Sequence, residues 1–178
     1  MREVEEVLAT LPWPVEVVRG LTWDEVPETE DTLAGNALLK AHAVARVTGI
    51  TALADDTGLE VAALGGAPGV QTARFAGPDA GYADNVRLLL ERLQGVDDRR
   101  ARFRTVVALA SLDGVAVLAE GSVAGTIARE RRGEGGFGYD PVFEVGERTL
   151  AEMTASEKHE ISHRARALRT LVASLRAG

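Results

Sequence analysis

The sequence predicts an α/β fold, and three observations carry it. Asp113-Gly114 joins two long apolar runs, 101–112 and 115–127, and Asp-Gly between alternating runs is a strong hairpin signal. Apolar residues recur at helical spacing over 33–48, 82–93 and the last two dozen positions. Finally, a short apolar run from Ile50 to Ala54 reads as a buried strand that delivers Asp55 and Asp56 into a glycine-containing turn.

Residues Arg2 to Leu11 read as an amphipathic helix with Val4, Leu8 and Leu11 on one face, stopped by Pro12 and Pro14. Val15 to Val18 reads as a short strand, followed by an acidic, proline-containing loop to Asp31. Thr32 is the expected N-cap of a helix from Leu33 to Thr48, with Leu33, Ala37, Ala41 and Val44 inward and Gly49 past its end. Asn36 and Lys40 share another face of it. Beyond the Asp-Asp turn, Leu59 to Leu64 reads as a second strand, and Gly65 to Gly69 as a tight loop. Thr72 to Phe75 is expected to form a helical turn, and Tyr82 to Leu93 a helix with Val86, Leu89, Leu90 and Leu93 apolar. After the hairpin, Thr154 and Glu157 stand at capping-box spacing before one helix reaching about Arg176, striped by Ile161, Ala165, Leu168, Leu171 and Leu175.

Composition bounds the chemistry. The chain of 178 residues reads as one domain, 1–178, with 46% apolar and 26% charged residues. A net charge of −7 argues against a nucleic-acid backbone binder. The absence of cysteine removes thiolate catalysis, disulfides and a cysteine zinc site. No apolar run is long enough for a transmembrane helix and no signal peptide is present, so the expectation is a cytoplasmic protein without a membrane partner.

Several stretches carry candidate chemistry. Side chains alternate along a strand, so Asp55 and Asp56 point to opposite sides unless the turn re-aims one. A carboxylate pair at a strand end is a hard-oxygen site suited to Mg²⁺, which binds one or two carboxylates plus substrate phosphates. A capped, solvated turn is the other reading of Asp-Asp-Thr-Gly. Glycines at 133, 135, 136 and 138 surround Phe137 and Tyr139, and an aromatic in a glycine-rich loop suits stacking on a flat base. Lys158, His159, His163 and Arg164 gather in the first half of the last helix, where cations sit poorly unless they face an anion.

Taken together these stretches resemble the inosine-triphosphate pyrophosphatase family. The resemblance rests on Glu28-Thr29 through Asn36-Ala37-Leu38-Leu39-Lys40-Ala41, on Ala54-Asp55-Asp56-Thr57-Gly58-Leu59, and on Leu64-Gly65-Gly66-Ala67-Pro68-Gly69-Val70 with Ala73-Arg74. It continues through Gly135-Gly136-Phe137-Gly138-Tyr139-Asp140-Pro141, then Glu157-Lys158 with Ile161-Ser162-His163-Arg164. The motifs stand in family order and cover nearly the whole chain.

What the resemblance implies is an elongated α/β fold: a bent mixed sheet flanked by helices, two lobes with an active-site cleft between them, and a homodimer. It implies Mg²⁺-dependent hydrolysis of non-canonical purine nucleoside triphosphates (ITP, dITP, XTP) to the monophosphate and pyrophosphate. By the same resemblance Asp56 is the general base and a metal ligand, with Glu28 and Asp55 completing the metal site. Lys40 and Lys158 hold the triphosphate, and Thr57 touches the substrate. Phe137 stacks on the base while Gly138, Tyr139 and Asp140 shape its pocket, and His163 and Arg164 read the 6-oxo group. One departure is plain: family members begin with a strand and a Thr/Ser-x-Asn-x-x-Lys phosphate loop, whereas Met1-Arg2-Glu3-Val4 aligns after that lysine. The expectation is a start assigned late in a longer natural product. The alternative for the chain as given is a catalytically impaired nucleotide-binding protein.

Overall fold

The structure, a computed structural model, describes residues 2–177. Five α-helices and six strands are described: α1 (Arg2–Leu8), α2 (Leu33–Thr48), β1 (Ala52–Val61), β2 (Pro68–Gly69), α3 (Tyr82–Arg92), β3 (Arg100–Ala110), β4 (Ala116–Ile127), β5 (Phe143–Val145), β6 (Arg148–Thr149), α4 (Ala155–Ile161) and α5 (His163–Ala177). The strands form one sheet in the order β2-β1-β3-β4-β5-β6, and the α/β class is borne out. The β1–β2, β4–β5 and β5–β6 pairs are antiparallel, the first in the register Leu59 opposite Gly69. The chain divides into two compact units: residues 1–56, 105–122 and 163–178 in the first, 57–104 and 123–162 in the second.

The first unit packs on small residues. Ala37, Ala41 and Ala45 of α2 are fully buried, because a helix that seats its backbone close to a neighbour needs short side chains along that face. A separate cluster of Val107, Ala119, Ala167, Leu168 and Leu171 gathers Val4 and Val7 of α1 and Leu175 of α5. The ends of α2 obey its sequence: Thr32 Oγ1 accepts from Gly35 N–H at 3.0 Å, and Gly49 closes the helix at φ 74°. The hairpin turns where expected. Ser111 N–H donates to Val115 O at 2.9 Å, and Gly114 takes a φ of 89° that favours glycine.

The second unit holds the larger side chains. Leu59, Val61, Val86, Leu89, Leu93, Val142 and Phe143 are all but fully buried in one cluster, with the Phe103 and Phe143 rings 4.7 Å apart. Arg99 ties this unit's irregular backbone together, donating to the carbonyls of Leu93, Ile127 and Ala128 at 2.8, 2.6 and 2.8 Å. One guanidinium carries enough donors for all three.

Four expectations need correction. The Asp-Asp-Thr-Gly stretch is no turn: β1 runs unbroken from Ala52 to Val61, absorbs most of the expected second strand, and gives way to a single 3₁₀ turn at Ala62–Leu64. Gly58 is not among the glycines at positive φ, so it makes no left-handed step of the kind a type II or I′ turn uses. Val15 to Val18 is not a strand, since among the described residues no ladder partner pairs with it. The first helix ends at Leu8 rather than Leu11. Finally, the last helix is two, broken at Ser162, whose ψ is 120°. Its apolar stripe serves two cores: Ile161 packs in the second unit, and Leu168, Leu171 and Leu175 pack in the first.

Candidate active site

In the first unit, Asp56 is the centre of a small polar network. Its neighbour Asp55 lies on the opposite face of β1, as strand alternation requires. The Asp56 carboxylate is buried and accepts from Lys40 Nζ at 3.1 Å and Asn36 Nδ2 at 3.3 Å. Asn36 and Lys40 stand one turn apart on α2, so one helix face delivers both donors. Asn36 is fully buried, and its amide has only one useful orientation. Glu30 N–H donates to Asn36 Oδ1 at 2.9 Å, which leaves the NH₂ group for Asp56.

Lys40 Nζ also donates to Glu28 Oε1 at 3.1 Å, so two carboxylates from separate segments converge on one ammonium. Burial raises the Asp56 pKa above the ordinary 3.8, and the nearby Glu28 charge pushes the same way. The Lys40 hydrogen bond and charge, and the Asn36 hydrogen bond, pull it down without overcoming burial. A site that needs more positive charge than one lysine supplies is suited to a hard cation, and two carboxylates meet the protein share of such a coordination shell. Glu28 and Asp56 therefore fit a divalent ion. The third expected ligand does not join them. Asp55 is engaged by Arg164, with contacts of 2.7 Å from Nη2 to both carboxylate oxygens and 3.1 Å from Nε. Among the described residues no group of three His, Asp or Glu side chains is gathered for a metal.

His163 and Arg164 open α5. Next to Arg164 on Asp55, His163 Nδ1 lies 2.6 Å from Thr105 Oγ1 on β3. Gly121 of β4 lets α5 come close: a Cβ there would stand 2.3 Å from His163 O and from Ala167 N. Thr105 and Asn36 are the participants that sequence reasoning missed. The spacing of Asn36 and Lys40 was visible, but nothing in the chain marks either Asn36 or Thr105 as buried.

In the second unit, the glycine-rich loop presents Phe137, 72% exposed, with the Tyr82 ring 6.2 Å away at 44°. An exposed aromatic of that size costs apolar burial and is available to stack. Asp140 holds the loop in shape, accepting from Phe137 N–H at 3.2 Å and from Lys158 Nζ at 3.1 Å. Gly136 sits at φ 81° over this pair, where an added Cβ would lie 1.9 Å from Asp140 Oδ2. Tyr139 is buried in the core beneath this loop, and its hydroxyl donates to Thr72 O at 3.0 Å. Burial raises its pKa well above the ordinary phenol value. Thr57 is half-buried on β1, and Gly138 turns the loop at φ 58°.

The sequence model of the Ham1 family matches residues 1–174. The chain belongs to the Ham1 family. The dITP/XTP pyrophosphatase of Thermus thermophilus is 48% identical over 182 aligned positions, covering all of this chain and 87% of that protein. The Shigella flexneri protein of the same name is 44% identical, over all of this chain and 93% of its own. Among solved structures, a HAM1 protein from Coxiella burnetii superposes with a TM-score of 0.83 at 39% identity, covering 99% of this chain and 93% of that one. A nucleoside-triphosphatase / dITP/XTP pyrophosphatase from Mycobacterium abscessus gives 0.80 at 40% identity, covering 98% and 91%. Ham1 membership accords with the resemblance read from the motifs. No described helix of this Ham1 chain is long and apolar enough to cross a membrane.

Proposed function

We propose that this chain hydrolyses non-canonical purine nucleoside triphosphates (ITP, dITP and XTP) to the monophosphate and pyrophosphate, clearing them from the nucleotide pool. The observation that carries the reading is its 48% identity, across its whole length, to a protein called a dITP/XTP pyrophosphatase. The buried Asp56 network supplies a chemistry that fits. Asp56 takes a proton from the attacking water as the anhydride between the α- and β-phosphates breaks, and pyrophosphate leaves with the bridging oxygen. Asn36 and Lys40 hold the carboxylate so that a lone pair is aimed before the reaction begins. Lys40 and Lys158 offset phosphate charge.

Mg²⁺ is the metal we infer, held by Glu28 and Asp56. Bound there, it would supply positive charge to offset the phosphate oxygens. Phe137 stacks on the base in a loop shaped by Gly138, Tyr139 and Asp140, Thr57 contacts the substrate, and His163 and Arg164 donate to the 6-oxo group. An adenine, whose 6-amino group is itself a donor, leaves those donors unpaired, a strong basis for rejection. We further propose a cytoplasmic homodimer that uses neither nucleic acid nor membrane as partner; light scattering tests the assembly.

The deciding experiment is product analysis with dITP, XTP, GTP and ATP, with and without Mg²⁺. Pyrophosphate from dITP and XTP, scarcely from GTP or ATP, and none without the metal, is the expected result. Saturable ITP binding with no pyrophosphate from any substrate would replace the enzyme by the nucleotide-binding protein.

A further inference from the structure

We infer that Thr105 is a positioning residue that selects which purines His163 accepts, by fixing the imidazole as its Nε2–H tautomer. The inference rests on the proposed role of His163 at the purine 6-position and adds the residue that gives the ring its polarity.

Thr105 is fully buried on β3, and its branched side chain has few rotamers open to it. Its Oγ1 stands 2.6 Å from His163 Nδ1. A threonine hydroxyl both donates and accepts, so this contact pairs with either tautomer of the ring; its shortness favours the hydroxyl as donor. In that arrangement Nδ1 accepts and a neutral ring carries its proton on Nε2. The ring cannot easily retreat from this bond. His163 is the first residue of α5, and Gly121 of β4 seats the helix so closely that a methyl group there would stand 2.3 Å from His163 O.

The consequence is chemical. An Nε2–H ring donates to a 6-oxo oxygen and has nothing to offer a 6-amino group. The opposite tautomer would present a lone pair at Nε2 and welcome the 6-amino group of adenine. Thr105, which need touch no substrate, thereby decides whether the ring favours the 6-oxopurine or the adenine pattern. Arg164, held on Asp55, can only donate, so the fixed tautomer gives both neighbours the same polarity.

The test is long-range ¹⁵N–¹H NMR of the full chain labelled on its three histidines, without ligand, at a pH above the ordinary imidazole range. H163Q assigns the signal. A pyrrole-like Nε2 and pyridine-like Nδ1 are expected for His163, with a tautomer mixture in T105V and recovery in T105S. The dITP-over-dATP ratio of kcat/KM should fall about tenfold in T105V, the scale of one hydrogen bond, and return in T105S. A wild-type ring protonated on Nδ1 in an active chain would overturn this inference alone. So would a T105V protein that keeps both tautomer and ratio. Should T105V fail to fold, the wild-type spectrum and T105S decide. A chain that releases pyrophosphate from no 6-oxopurine overturns the parent reading, and the specificity role with it, whatever tautomer is seen.

Discussion

Asp56 and Asp55 are chain neighbours with opposite surroundings, and the difference predicts how each behaves when altered. Burial lifts the Asp56 pKa above 3.8, so in metal-free protein its carboxyl should titrate above that value by NMR. A raised acid pKa means the native state binds the proton more tightly than the unfolded chain does. This one group therefore favours folding at low pH and loses that contribution as pH rises through its native value. Adding Mg²⁺ should move the midpoint down, because the cation favours the ionised form. D56N should lower kcat by roughly 10²–10⁴, the usual worth of a positioned base, with the fold retained by circular dichroism. Asp55 makes a contrasting case. If its task is to hold Arg164 and not the metal, D55N leaves the Mg²⁺ half-saturation point unchanged while 6-oxopurine selectivity drops about tenfold. A half-saturation point that climbs in D55N as it does in E28Q would return Asp55 to the metal site.

Helix ends and tight loops carry the site, and they are legible in the sequence where their causes are local. Thr32, Gly49, Thr154 and the Asp113-Gly114 turn were all legible, because caps and turns depend on a few adjacent residues. The continuous β1 and the break at Ser162 were not. Asp56 stays in a strand because α2 satisfies it, and α4 ends where its stripe passes from one core to another; both causes are distant in sequence. The cap of α4 is a direct test. Thr154 accepts from Glu157 N–H at 3.3 Å, and Glu157 accepts from Thr154 N–H at 2.8 Å. T154A should cost about 1 kcal/mol and lower Tm by about 2–4 °C, and it should raise the dITP KM because Lys158 sits on this seven-residue helix. The glycine loop makes a sharper case. G136A places a methyl group against the Asp140–Lys158 pair at a φ that strains any side chain, so the loop must move. Its dITP KM should rise more than tenfold with little change in kcat for the bound substrate. An unchanged KM would show that this loop does not meet the base.

Whole-chain stability in acid follows from charges spread over many exposed pairs rather than from the site. Glu157 is drawn down to about 2, first by Arg148 and then by the backbone and hydroxyl of Thr154. Asp98 falls to about 2 through Arg100, and Glu152 and Asp113 are lowered by hydrogen bonds to Thr149 and Ser111. Each lowered carboxylate contributes stability that is present above its ordinary value, 4.5 for Glu and 3.8 for Asp, and is lost as pH falls through the native one. Asp56 works in the opposite sense, but it is one group against four. Tm should therefore decline as pH is lowered from 4.5 toward 2, the window set by Glu157. These pairs are exposed, so each contributes little and added salt should flatten the decline. Calorimetry across that window at low and high salt measures both. A Tm that rises with acid would mean that relieving the buried charge of Asp56 outweighs all four surface carboxylates, and the cost of keeping this carboxylate ionised would then dominate the molecule's response to pH.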